Sequence, residues 1–152
     1  MQSVSRQLGA NYQDLADLDI SYYDYDHANQ EDDFLPLAIK MTQASHIILA
    51  TPVYWYTVSA QLKTFIDRWS DLLTIRKDLG RKLKGKKLIL VSCGSWEEPG
   101  EGFELPVKQT AEYMHMTFAG YFHTWITDKE HFSDQAVQLR VNLLLDFIKT
   151  QL

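Results

Sequence analysis

The sequence predicts an α/β fold, a doubly wound parallel sheet with helices on both faces. Short continuous apolar runs, Ile47-Ile48-Leu49-Ala50 and Leu88-Ile89-Leu90-Val91, have the composition of strands buried on both sides. Each is followed by a longer segment whose apolar residues recur at helical spacing. Strands alternating with helices of that length pair in parallel through right-handed crossovers, and the helices then cover both faces of the sheet.

The elements follow in order along the chain. Val4 and Leu8 are four apart with Gly9 at a helix C-cap position, so the chain opens in a helix. Asn11 to Leu15 reads as a weak, polar strand of the kind found at a sheet edge. Asp32 and Asp33 place negative charge at the start of a helix that carries Phe34, Leu37, Ala38 and Met41. After the first apolar strand, Val58, Leu62, Phe65, Ile66, Trp69, Leu72 and Leu73 share one helical face, with Thr57 as N-cap. After the second, a helix beginning near Pro106 carries Val107, Thr110, Ala111, Met114 and Phe118. A third strand spans Tyr121 to Ile126. The last helix starts at Ser133 and buries Val137, Val141, Leu144, Leu145, Ile148 and Leu152. With no linker or low-complexity tract, residues 1–152 are expected to form one domain.

Composition narrows the partners. The chain has 152 residues, 45% apolar and 23% charged, enough for a core that needs no covalent staple. A net charge of -5 argues against nucleic acid, which requires a positive surface. Cys93 is the single cysteine, so no intrachain disulfide is possible and no oxidising compartment is implied. The opening MQSVSRQLGA is too polar for a signal peptide, and no apolar run approaches the ~20 residues that cross a bilayer. The expectation is a cytoplasmic protein with no membrane partner.

Open α/β sheets bind ligands at the carboxyl ends of their strands, which here means the loops 51–57, 92–105 and 127–132. Pro52 fixes the backbone of the first loop, Tyr54, Trp55 and Tyr56 supply flat surfaces, and the following helix aims free N–H groups at the edge. That combination suits a planar heteroaromatic ligand. Ser92-Cys93-Gly94-Ser95-Trp96 adds small residues that permit close backbone approach beside another aromatic. Aromatics after a strand also serve as plain core, and composition alone leaves the two readings about even.

The run Thr51-Pro52-Val53-Tyr54-Trp55-Tyr56, continuing through Leu62-Lys63-Thr64-Phe65-Ile66-Asp67-Arg68, resembles the signature of the NAD(P)H-dependent FMN oxidoreductases of flavodoxin-like fold. The likeness continues more weakly through Asp32-Asp33, the strand at 88–92 and the turn Ser92–Gly94. It implies that Pro52, Val53, Tyr54 and Trp55 line the flavin ring and ribityl chain, and that Ser92, Cys93 and Gly94 approach the ring from the next strand. It implies FMN as cofactor, NAD(P)H as hydride donor, a small-molecule electron acceptor such as a quinone, azo or nitro compound, and a homodimer. The flavin performs the chemistry, so no side chain is named as catalytic. Lys63, Asp67 and Arg68 read as helix-surface or subunit-contact residues. Two other classes compete: a flavodoxin-like electron carrier, and a non-catalytic module that has lost its flavin.

One departure stands out. Such proteins open with a strand and a Ser/Thr-rich loop that holds the FMN phosphate, and this sequence starts inside the first helix. The expectation is an N-terminally truncated fold, short by roughly 20 residues, that binds FMN poorly or not at all and is prone to associate through an open sheet. A related branch carries an iron–sulfur cluster in the loop corresponding to residues 20–33, which here contains no cysteine. That excludes the cluster.

Other features read as structural. Asp24, Asp26 and His27 match no metal motif and form a solvated acidic loop. Glu97, Glu98, Glu101 and Glu104 keep a loop soluble, and Cys93 reads as a small packed residue. His46, His115, His123 and His131 have no visible partners. Between Arg76 and Lys87 lie seven of the 15 basic residues, read as an exposed connection with cations near a helix C-terminus.

Overall fold

In the computed structural model, which describes residues 1–152, the sheet has three parallel strands in the order β1-β2-β3. These are β1 (His46–Pro52), β2 (Lys87–Gly94) and β3 (Thr117–Trp125). The helices are α1 (Gln2–Leu8), α2 (Phe34–Gln43), α3 (Ala60–Asp67), α4 (Lys77–Leu83), α5 (Leu105–Tyr113) and α6 (Gln135–Gln151). None is long and apolar enough to cross a membrane.

Both faces of the central strand are covered, as its apolar run requires, but β1 does not follow. Ile47 and Leu49 are buried on one face, while on the other Ile48 is half-buried and Ala50 exposed, because that strand lies at the edge of the sheet. In the central strand β2, alternate residues supply two cores. Leu88 and Leu90 pack with Phe34, Leu49, Leu62, Leu79 and Val107 beneath α2 to α5. Ile89 and Val91 pack with Val4, Leu144, Leu145 and Ile148 beneath α1 and α6. Leu88, Ile89 and Leu90 are wholly buried, which is why the run carries no polar alternation. A register shift at Leu88/Ile89 places Gly120 against Phe147, where a Cβ would lie 2.8 Å from the ring; glycine lets α6 approach the strand.

Several boundaries differ from the sequence expectation, each for a local reason. Residues 11–15 do not form a strand. Asp14 caps a 3-10 turn over Leu15–Asp17 by accepting from the Ala16 N–H at 3.0 Å, a local bond that competes with strand pairing. The helix N-cap is Ser59 rather than Thr57: its hydroxyl accepts from the Leu62 N–H at 3.3 Å, and its own N–H donates to Thr51 Oγ1 at 2.9 Å. The same helix does not run on to Leu73. It tightens into a 3-10 segment over Arg68–Leu72, a geometry that brings residues three apart into line and lets Arg68 meet Asp71. The last helix begins at Gln135, after Asp134, rather than at Ser133, and its buried stripe ends at Ile148: Val141 is half-buried, and Leu152, past the helix end, is exposed. Helix α5 ends at Tyr113, so Met114 caps it and Phe118 belongs to β3, which starts four residues before the expected Tyr121.

The basic segment is not a bare connection. It contains α4, which buries Leu79 and Leu83. Gly80 faces Leu72 so closely that a Cβ would lie 2.2 Å from the Leu72 carbonyl oxygen. Near the end of this segment, Lys87 Nζ donates to the Gln151 carbonyl at 2.7 Å and Lys86 Nζ to that of Ala44. Both tie down the amino end of the sheet.

Candidate functional site

The carboxyl ends of the strands meet in register, with Pro52 opposite Cys93, Cys93 opposite Thr124, and Gly94 opposite Trp125. Pairing runs on past the strands: the Val53 N–H donates to the Cys93 carbonyl at 2.8 Å and the Ile126 N–H to Gly94 at 3.0 Å. These bonds bring Pro52, Val53, Cys93 and Gly94 to one edge, as expected.

Beyond Val53 the chain reverses in a tight turn. Tyr54 and Thr57 exchange both backbone hydrogen bonds at 3.0 Å, and the residues between them, Trp55 and Tyr56, have φ of 50° and 62°. Two consecutive left-handed residues define a turn that favours Asn and Gly. Large aromatics adopt it at a cost of about 1–2 kcal/mol each. The cost is not offset by burial of the indole, since Trp55 is 93% exposed. Tyr56 meets the next loop at Gly100, where a Cβ would lie 3.1 Å from the Tyr56 ring.

Ser92 differs from its neighbours. It is fully buried on the face of β2 that carries Leu88 and Leu90, with Oγ 2.7 Å from both Tyr121 Oη and His123 Nδ1. His123 Nε2 in turn lies 2.9 Å from the Trp96 carbonyl oxygen. Ser92 therefore sits beneath the edge rather than on it, and His123 has partners that the sequence did not reveal. His46 has one too, with Nδ1 2.8 Å from Ser45 Oγ. Burial pushes the Tyr121 hydroxyl pKa up. Cys93 alternates to the opposite face, toward α1 and α6; burial raises its thiol pKa and keeps it protonated at neutral pH.

Arg68 is the largest revision to the sequence reading. Rather than lying on a surface, it is fully buried, and its guanidinium collects the loop 19–33. Nε donates to Asp71 at 2.9 Å, Nη1 to Asp32 and to the Ser21 carbonyl, and Nη2 to the Asn29 carbonyl at 3.4 Å. The guanidinium also lies 4.7 Å over the Phe34 ring. His27 joins through Nδ1, 3.0 Å from Asp71, while Asp24 accepts from the Ala28 and Asp26 N–H groups. The acidic loop is thus a folded structure anchored on Arg68. Lys63 and Asp67 stay exposed and pair with each other at 2.6 Å.

The basic cluster lies at the wrong end for a phosphate at this edge. Lys86 and Lys87 stand at the start of β2, and at ~3.3 Å per residue the strand separates them from Gly94 by roughly 23 Å. Near the edge itself, Arg140 stacks 4.8 Å over Trp125 and pairs with Glu130 at 2.7 Å. The Thr127 N–H and then Arg140 hold the Glu130 carboxyl down to about 2.

The model of the NADPH-dependent FMN reductase family matches residues 3–130. The chain belongs to that family. A putative NAD(P)H-dependent FMN-containing oxidoreductase of Bacillus subtilis (strain 168), YwqN, is 33% identical over 97 residues, 60% of this chain and 52% of that protein. The chain therefore spans about half the length of this curated relative. Among solved structures, the Trp repressor binding protein from Bacillus subtilis is 28% identical with a TM-score of 0.61, covering 74% of this chain and 76% of that one. The general stress protein 14 of Treponema denticola, solved in complex with FMN, has a TM-score of 0.64 at 17% identity, covering 99% and 86%. At that identity it shows the fold alone, which is flavodoxin-like.

Proposed function

We propose that this chain is an FMN-dependent oxidoreductase that takes hydride from NAD(P)H and passes electrons to a small acceptor such as a quinone, azo or nitro compound. The observation that carries this reading is the strained turn Tyr54–Thr57, which holds an exposed Trp55 at the carboxyl edge of the sheet. Strain of this kind concentrates where a ligand is gripped. Family membership supports the reading, as do the FMN-containing relative and the FMN complex of the treponemal protein.

The residues present fit a planar ring. Pro52 and Val53 give a backbone locked to β2, Tyr54 and Trp55 give aromatic planes, and Gly94 leaves the approach open where a Cβ would meet His123 at 3.4 Å. Bound FMN supplies a ring that accepts hydride and releases electrons. The chain's share is to hold that ring between the two loops, keep water from its buried side, and present backbone donors to its polar edge. Cys93, kept protonated by burial, contributes bulk and no nucleophile.

We further propose a single domain acting in the cytoplasm as a homodimer, with the exposed Trp55, Tyr56 and Trp96 near the subunit boundary. Adding NADPH anaerobically to the FMN-loaded protein tests the enzymatic reading. Bleaching of the flavin absorbance supports a reductase, and its absence with FMN bound points to a simple electron carrier.

A further inference from the structure

The loop after β2 carries Trp96, which is 79% exposed, and yet that loop is tied down at several points. His123 holds the Trp96 carbonyl at 2.9 Å. Tyr121 stacks on the buried Phe103 with ring centroids 5.7 Å apart and planes 22° apart. Gly100 lies against the Tyr56 ring. Tyr121 and His123 are two apart on β3 and share one face with Ser92.

The hydrogen bonds among them have a direction. A carbonyl oxygen only accepts, so His123 Nε2 must carry a proton. With Nδ1 bare, the Ser92 hydroxyl donates to it and the Tyr121 hydroxyl donates to Ser92. Every proton in the chain then has an acceptor. The reverse order requires a second proton on the ring and leaves the Tyr121 proton with no acceptor in this network. A half-buried phenol tolerates that poorly.

We propose that His123 is a positioning residue: through its Nε2–H it fixes the Trp96 backbone, and so places the Trp96 indole as a wall of the cofactor edge. This rests on the reading of that edge as a flavin site. Ser92 and Tyr121 act one step back, by holding His123 in the tautomer that can donate to Trp96.

The experiment compares His123→Leu and His123→Gln with the parent protein. Gln retains an amide donor where Nε2 stood, and Leu does not. Hydrogen exchange of the amides at 95–99, measured without flavin, should quicken about tenfold in His123→Leu, the size of one lost hydrogen bond. In His123→Gln it should stay within about twofold of the parent, with β2 amides unchanged in both. The dissociation constant for FMN should follow the same order. Equal loop exchange in His123→Leu and the parent overturns the proposal. So does a His123→Gln variant as loose as His123→Leu, or loosening shared equally by β2. Nitrogen NMR of the parent protein needs no variant to fold: a ring protonated on Nδ1 alone also overturns it. The expected exchange pattern without any FMN binding would uphold the strap and refute the flavin reading instead.

Discussion

Replacing Arg68 by Met removes a guanidinium and leaves an unbranched chain of similar length. Asp32 and Asp71, with side chains only 6% and 2% exposed, then lose their shared cation. The Ser21 and Asn29 carbonyls lose a donor as well. Breaking a buried ion pair from one side costs about 3–5 kcal/mol, because the stranded charge stays buried. For a chain of this length each kcal/mol lowers the midpoint by about 2–4 °C, so Arg68→Met should fall by roughly 6–20 °C. Urea and thermal melts followed by far-ultraviolet circular dichroism measure this. The stranded carboxylate should dominate the loss, so Arg68→Met combined with Asp71→Asn should recover part of it. A loss under about 1 kcal/mol, or no recovery in the double variant, would refute the view that Arg68 fastens loop 19–33 to the body.

Other expectations follow from the same geometry. Trp55→Asn puts a residue that favours the left-handed turn where a bulky one is strained, so stability should stay level or rise by up to about 1 kcal/mol while FMN affinity falls; paired melts and flavin titrations check both halves. Gly80→Ala drives a methyl into the Leu72 carbonyl and should cost about 1–3 kcal/mol in a urea melt, despite alanine's better helix propensity. Glu130 has a carboxyl pKa lowered from 4.5 to about 2, so its contribution to stability is present above the unfolded value and is lost as pH falls through about 2. The protection of the Thr127 amide, relative to its intrinsic exchange rate at each pH, should accordingly hold steady down to about pH 3 and then fall, and a midpoint near the unfolded value would contradict the assigned bonds.

Long apolar patterns made much of the fold legible. Strands β1 and β2 and helix α6 were readable because their buried residues are contiguous or strictly periodic. Helix α4 was not, because its seven residues carry three cations and a glycine, and only Leu79 and Leu83 go inside. The segment 11–15 reads as a weak, polar edge strand, but local capping by Asp14 outcompetes pairing. At the site, the residues around Pro52 and Gly94 were visible as an aromatic and glycine-rich edge. Their partners were not. Tyr121 and His123 reach Ser92 only through the register of β2 with β3, including a bulge that sequence spacing does not disclose. Arg68 looked like surface because a cation in a helical motif usually is one. Its burial depends on the Asp32 carboxylate and two carbonyls supplied from 36 to 47 residues away, beside Asp71 three residues on.

The proposed flavin site is the edge formed by Pro52–Trp55 and Cys93–Gly94, with Ser92 buried beneath it. A titration of FMN into the parent protein and Trp55→Ala, following flavin fluorescence and absorbance, tests it most directly. A weak but saturable spectral change is expected in the parent, with a weakening of about fivefold or more in the variant, matching about 1 kcal/mol for a lost aromatic wall, and melting temperatures unchanged. Absence of saturable binding in the parent, or identical affinity in Trp55→Ala, would contradict it.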